Sequence, residues 1–210
     1  MSVKISLREK KKAKTKLDLL QASLDLSGER SFRRVLVEDI CQQADVSKVT
    51  FFKFFPQKED LLIYFMSVWQ AQCYLELVDS GKRGWEAVRY IFGKVTEDAA
   101  KHPGIMLSLI SFLSEQKMHP WVPKLSETEL WLLFPERETT AGVEEVTLDR
   151  IFQRCVKEVR EDGELVAHLT EHEAVVLLFS IFYGAYLSAH LFRSTDYMAY
   201  YEMHLKLLIR

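Results

Sequence analysis

Residues 37–62 read Val37-Glu38-Asp39-Ile40-Cys41-Gln42-Gln43-Ala44-Asp45-Val46-Ser47-Lys48-Val49-Thr50-Phe51-Phe52-Lys53-Phe54-Phe55-Pro56-Gln57-Lys58-Glu59-Asp60-Leu61-Leu62. Val37–Ala44 reads as a short helix with Ile40 and Ala44 on one face, and Lys48–Phe54 as a second short helix. Ser47 between them is a good N-cap, because its hydroxyl accepts a hydrogen bond from an amide that the new helix leaves without a partner. Asp45 sits in the turn, where a left-handed backbone is often needed and a short polar side chain tolerates it. Pro56 stops the second helix. Lys58 opens a longer one, with Leu61, Leu62, Phe65, Val68 and Trp69 at helical spacing. Two short helices on a three-residue turn, the second polar and basic, form a helix-turn-helix of the kind that lays its second helix in the major groove of DNA. Ile40, Ala44, Val46 and Phe51 are then the apolar pins, and Lys48, Thr50 and Lys53 face outward. A plain helical hairpin in a small core would predict neither the serine cap nor that outward set.

On the N-terminal side, Leu17, Leu20 and Leu24 lie at i, i+3, i+7, so residues from about 10 to 27 read as an amphipathic first helix broken by Gly28 and Ser31. Before and within it lie Lys4, Arg8, Lys10, Lys11, Lys12, Lys14 and Lys16 against Glu9 alone, a charge of +6 over residues 1–16. The whole chain has 28 Lys and Arg against 30 Asp and Glu, a net charge of −2, which leaves −8 for the other 194 residues. A basic arm on an acidic body suits a polyanion partner, and a solvated flexible tail is the alternative.

On the C-terminal side the helices lengthen. Trp85–Lys101 is bounded by Gly84 and Pro103, and Gly104–Gln116 by Pro103 and Pro120. Ser126-Glu127-Thr128-Glu129 is a capping box that opens a helix ending near Pro135, and residues 135–142 read as a loop. Leu148, Ile151, Phe152, Cys155, Val156 and Val159 make a clean one-faced helix over about 144–161, closed by Gly163. Thr170-Glu171-His172-Glu173 is a second capping box, opening a helix to about Phe192, and a final helix spans Asp196–Ile209. No convincing strand is visible. With 8 Gly and 5 Pro in 210 residues, 48% apolar and 28% charged, the composition favours long helices over a sandwich or barrel and excludes global disorder.

Residues 174–192 carry no charge and are marginally long enough to cross a bilayer. Ser180, Gly184, Ser188 and His190, and the lack of a second hydrophobic span, favour instead a helix buried on every side of a soluble protein, with a dimer interface on one face. A membrane-attached helical protein is the rival reading from another class. Cys41, Cys73 and Cys155 are odd in number and widely spaced, so neither a disulfide framework nor a zinc site follows, and a reducing cytoplasm is the expected setting. The charged N-terminus does not read as a signal peptide. His168 and His172 flank a helix cap and are not expected to share a face or hold a metal, and His190 reads as a core histidine. No phosphate loop, nucleophile elbow, H-E-x-x-H or catalytic carboxylate pair occurs, so neither enzymatic activity nor a cofactor is expected.

With these residues in view, residues 15–62 resemble the N-terminal domain of the tetracycline-repressor (TetR) family of transcriptional regulators. Val37 to Leu62 match its "Ile-Ala…Ala-Gly-Val-Ser", its aromatic recognition helix and its "Phe-x-x-Lys-x-x-Leu", and Thr15 to Leu26 match its first helix. Three departures stand out: Val35 and Leu36 replace the usual Thr or Ser cap of the second helix, Asp45 the turn glycine, and Phe52 a tyrosine whose hydroxyl reaches phosphate. The resemblance implies two all-α domains, a helix-turn-helix DNA-binding domain at 1–57 and an effector-binding and dimerisation domain at 58–210. It implies a cytoplasmic homodimer on a palindromic operator of double-stranded DNA, with a small, mainly apolar effector and no membrane. A repressor is the expected role; an activator or an effector-independent regulator of the same fold is the alternative.

Position then assigns roles. Lys48, Val49, Thr50 and Lys53 are expected in the groove, since lysine donates to guanine acceptors and the apolar groups meet thymine methyls. The backbone amides at the Ser47-capped helix start favour a phosphate, Phe52 is expected at the DNA surface without the hydrogen bond of the tyrosine it replaces, and Lys58, Lys10, Lys11, Lys12 and Lys14 position the backbone. Met106, Phe112, Trp131, Tyr183 and Tyr186 are the candidates for an effector pocket. Phe152, Cys155, Val159, Phe179 and Ile181 are the candidates for a two-fold interface between helices 144–161 and 171–192.

Overall fold

The computed structural model describes residues 5–27, 31–116, 122–137, 139–140, 142–143 and 146–210. Among these residues it is all-α, as expected: α1 Leu7–Ser27, a 3-10 turn Phe32–Arg34, α2 Val37–Gln43, α3 Lys48–Phe54, α4 Asp60–Ser80, α5 Gly84–Lys101, α6 Pro103–Glu115, α7 Glu127–Leu133, α8 Leu148–Glu161, α9 Glu171–Leu191 and α10 Tyr197–Leu205. The helices gather into two compact units, one of Met1–Ala71 with Lys101–Glu145, the other of Gln72–Ala100 with Val146–Arg210.

The first unit packs α1, α2, α3 and the start of α4 around Leu19, Leu20, Phe32, Ile40, Phe51, Phe55 and Leu61, all buried. Rings run in series through it: Phe51 to Phe55 at 5.9 Å and Phe55 to Tyr64 at 5.5 Å. Offset aromatic neighbours add to area burial, so this series fixes the third helix against the fourth. Ser108 on α6 accepts from the Phe32 amide at 3.0 Å and anchors the 3-10 turn.

The second unit centres on Phe92, which stacks on Tyr201 at 4.3 Å and meets Phe152 and Phe182 at 6.3 Å each. Tyr201 donates its hydroxyl to the Phe182 carbonyl at 2.9 Å, so the one polar atom of that cluster is satisfied. Gly84 starts α5 with φ +52°, and a Cβ there would lie 3.0 Å from Val159 Cγ1. A left-handed backbone and a close neighbour together require glycine.

Several boundaries differ from the sequence reading. α1 begins at Leu7 rather than about residue 10, because Ser6 and Glu9 cap it reciprocally, Ser6 N–H donating to Glu9 Oε2 at 3.0 Å and Glu9 N–H to Ser6 Oγ at 3.2 Å. Gly28, expected to break that helix, lies outside the described residues, as do Lys4, Pro120, Trp121 and the expected start of α8 at 144. α8 is capped by Thr147. α10 ends at Leu205 instead of 209, since Val166 N–H donates to the Leu208 carbonyl and Arg210 N–H to the Glu164 carbonyl. These bonds make an isolated antiparallel bridge between Leu165 and Ile209.

In the single chain α9 buries one stripe, including Ala174, Leu178, Ile181, Ala185 and Ala189, and leaves Val176, Leu187 and Leu191 exposed on one open face. His190 is likewise exposed rather than in the core. Nor is α9 the one long apolar helix: by length and composition both Asp60–Ser80 and Glu171–Leu191 suffice to cross a membrane. α4, expected as an amphipathic helix, carries its acidic residues Asp60, Glu76 and Asp79 towards its two ends and is uncharged between them.

Candidate nucleic-acid interface

α2 and α3 meet across the turn that the sequence marks. Asp45 takes φ +53°, the left-handed conformation expected of it. The Val46 amide then closes the turn onto the Cys41 carbonyl at 2.9 Å. Ser47 Oγ accepts from the Thr50 amide at 3.2 Å and sits 3.0 Å from the Thr50 hydroxyl, so the cap holds the first turn of α3. α2 has no such device, because its cap residue is Leu36 and no side chain bonds there. Ile40 and Phe51 are buried pins, while Ala44 and Val46 are half-buried.

Locking Phe51 inward turns the rest of α3 out. Lys48, Val49, Phe52 and Lys53 are exposed, Val49 to 82%. Phe52 packs edge-on against Phe51 at 5.3 Å and keeps half its surface in water. The result is a short, capped helix whose outer face mixes two ammonium groups with aliphatic and aromatic surface, able both to donate to base-edge acceptors and to meet thymine methyls.

The cations divide into engaged and available. Lys48 is ion-paired with Glu38 of α2. Lys58, expected at a phosphate, is turned inward: its ammonium donates to the carbonyls of Phe32, Arg33 and Val35 at 3.1, 3.0 and 3.0 Å. An ammonium has three donors, so Lys58 is a clamp on the 3-10 turn that leads into α2. The basic arm is helical from Leu7 rather than a loose tail. Within it Lys10 lies over the Trp131 ring at 4.4 Å, and Lys14 pairs with Asp18 at 2.7 Å. Lys16 lies over the Tyr64 ring at 4.3 Å and pairs with Glu129. Arg8, Lys11 and Lys12 point to solvent.

Glu129, at the third position of α7, was legible only as half of a capping box. Only 3% exposed, it also accepts the Tyr64 hydroxyl at 2.6 Å. Burial alone would raise its carboxyl, but hydrogen bonds from Lys16, Ser126 and Tyr64 outweigh that and hold it below the ordinary carboxylate range. Burial, with the Glu129 charge beside it, pushes the Tyr64 phenol up. Arg33 and Arg34 were also missed. Both are exposed just ahead of α2, with Arg33 paired to Glu115 at 2.7 Å; the adjacent arginines were the available signal.

Residues 19–65 match the family model described as bacterial regulatory proteins, tetR family. The chain carries a tetR-family DNA-binding domain. Solved structures with the same fold include Thermus thermophilus FadR, a TetR-family transcriptional repressor in complex with lauroyl-CoA, at TM-score 0.61 and 21% identity, covering 91% of this chain and 92% of that one. Bacillus subtilis FadR in complex with stearoyl-CoA gives TM-score 0.61 and 18% identity over 92% and 97%. The regulatory protein TetR from Rhodobacter sphaeroides gives 0.58 and 19% over 92% and 98%. No curated protein matches the sequence.

Outside the tetR-family domain the residues expected at the pocket fall in both units, and those expected at the two-fold interface fall in the second. Of the effector-pocket candidates, Met106, Phe112 and Trp131 belong to the first unit and Tyr183 and Tyr186 to the second. Trp131 holds Lys10, and Tyr186 stacks on Tyr197 at 4.6 Å. Burial pushes the Tyr183 phenol up to about 12. Of the interface candidates, Phe152, Cys155 and Val159 are 0%, 0% and 1% exposed in the single chain. They are core residues with no surface to offer a partner, because the one-faced stripe of α8 is taken up by its own unit. Ile181 is buried as well, and Phe179 packs edge-on against Phe152 at 5.3 Å. Among the described residues no group of three or more His, Cys, Asp or Glu could hold a metal ion.

Proposed function

We propose that this protein is a sequence-specific, dimeric transcriptional repressor released from a palindromic operator by a small, mainly apolar effector. The observation that carries the reading is α3: a Ser47-capped helix, pinned by buried Phe51, that turns Lys48, Val49, Phe52 and Lys53 to solvent on a tetR-family domain. Lys48, Val49, Thr50 and Lys53 read base edges, with a phosphate at the Ser47-capped helix start and Phe52 at the DNA surface. Arg8, Lys11, Lys12 and Lys14 neutralise the backbone. On this reading residues 1–57 bind DNA, and residues 58–210 bind the effector and pair the protomers. The exposed stripe of Val176, Leu187 and Leu191 on α9 is the face offered to the partner, in place of the buried residues of α8. Two half-sites about 34–36 Å apart then require the dimer.

Capture of genomic fragments followed by sequencing identifies the operator, and fluorescence anisotropy compares it with a random duplex at fixed salt. Preference for the recovered fragment, lost on adding an apolar ligand, is the expected result, and equal affinity for both duplexes overturns the reading. Lauroyl-CoA and stearoyl-CoA, held by two proteins of the same fold, carry a long apolar chain on a charged head group and are the first ligands to add, beside the free fatty acids that keep only the chain.

A further inference from the structure

Glu38 stands in the first turn of α2 with its carboxylate ion-paired to the ammonium of Lys48, the first residue of α3. Both side chains are more than half exposed. An exposed pair contributes at most about 1 kcal/mol to folding, so stability is not what this one supplies. Its consequence lies at the surface that α3 presents. Lys48 leads the groove-facing residues, and its positive charge is cancelled there by a carboxylate from the neighbouring helix. Among the described residues, Lys53, Lys11 and Lys12 take part in no ion pair. Within the helix-turn-helix the counter-ion therefore falls on the leading base-reading lysine. The hydrogen bond from Lys48 holds the Glu38 carboxyl below its ordinary range, so the carboxylate persists through neutral pH.

We propose that Glu38 is a specificity-determining residue of the DNA interface, which cancels the attraction of Lys48 for phosphate and leaves that lysine to gain affinity at a base edge. The inference rests on the DNA-reading function proposed above. A phosphate approaching Lys48 meets a carboxylate bonded to the same ammonium, and like-charge repulsion offsets the new ion pair. A guanine carries no formal charge and offers O6 and N7 acceptors to the ammonium, while its paired cytosine offers an N4 amino donor that a carboxylate accepts. The Glu38–Lys48 pair thus matches the donor and acceptor pattern of a G·C base pair in the major groove. Toward an anionic backbone it is neutral. Non-specific binding depends on phosphates neutralised, so removing one lysine from that count lowers affinity for random DNA without weakening a matched site.

Glu38→Gln keeps the size of the side chain and removes its charge. Anisotropy on the recovered operator and on a random duplex, at several salt concentrations, reads the effect. Affinity for the random duplex should rise about fivefold, the effect of one unit charge at contact distance in water. Its dependence of log K on log salt should steepen by about 0.9, one added phosphate contact. The operator should gain less, so the ratio between the two narrows. Glu38→Asp, which keeps the charge, should keep the wild-type ratio, and Lys48→Ala in the same chain should cancel the gain of Glu38→Gln. Equal gains on both duplexes, unchanged affinities, or a gain that survives without Lys48 overturns the proposal. A wild-type protein that prefers no fragment over random DNA overturns instead the function on which it rests, and that is read before any variant is made.

Discussion

α3 and α9 are both opened by a hydroxyl cap, Ser47 for the first and Thr170 for the second, yet their side chains were legible to opposite degrees. α3 has seven residues, and its sequence separates an inward Phe51 from outward lysines. α9 has twenty-one, uncharged from Ala174 onward, so no periodicity marks a face. Its buried stripe is chosen by what packs against it, α8 and α10, rather than by its own pattern. Local signals thus place a short helix completely, whereas in a uniformly apolar helix tertiary contacts decide which side meets water. Breaking that comparison takes a matched pair of truncations on α9. Phe182→Ala, in the core against Phe92 and Phe152, should cost about 3–5 kcal/mol in denaturant unfolding. Leu187→Ala, on the open face, should stay within about 0.5 kcal/mol. Equal losses would mean that α9 has no open face. Leu187→Glu then sharpens the result: sedimentation should show a folded monomer that no longer binds the operator, and a dimer that still binds it would remove α9 from the interface.

The next effect belongs to α7, where the capping box was legible and its second use was not. Ser126 and Glu129 close the cap as the spacing predicts, but the same carboxylate also receives Tyr64 from α4 and Lys16 from α1. Because its folded pKa is lowered, Glu129 contributes stability that is present above the unfolded carboxyl value of about 4.3 and is lost as pH falls through the lower folded value. Glu129→Gln should cost about 1–3 kcal/mol at neutral pH and flatten the acid limb of stability below about pH 4. Chemical unfolding across pH measures it, and an acid limb as steep as that of the wild type would place the titrating group elsewhere.

Smaller still is the cap of α3. Ser47→Ala should cost about 1 kcal/mol of thermal stability and weaken operator binding by loosening the first turn that carries Lys48. Unchanged binding with lost stability would show that α3 keeps its shape on DNA without the cap.

What was legible follows from the range of the determining interactions. The helix-turn-helix and its left-handed Asp45 lie in one contiguous stretch of eighteen residues, 37–54, both later capping boxes join residues three apart, and the structure has each of them. The Ser6–Glu9 box has the same S-x-x-E spacing, but it lies ahead of the leucine periodicity, which marks the helix only from about residue 10. Lys58, Phe152, Cys155 and Val159 were misplaced because their partners lie more than twenty residues away or on another helix. A lysine looks the same in sequence whether it faces a phosphate or three carbonyls.

That contrast within the arm gives the smallest expected effect. Deleting residues 1–13 would remove the first turns of α1 together with buried Ala13, so it would test the fold rather than the charge. Single substitutions keep the helix. Lys12 is exposed, and Lys12→Ala should lower the slope of log K against log salt by about 0.9 if it meets a phosphate. Lys16 is held by Glu129 and the Tyr64 ring, so Lys16→Met should leave that slope unchanged while lowering stability. Both slopes come from anisotropy titrations on the same duplex. A Lys16 variant that flattens the slope as much as the Lys12 variant would mean that Glu129 releases its lysine to DNA, and that α7 and the operator compete for the same cation.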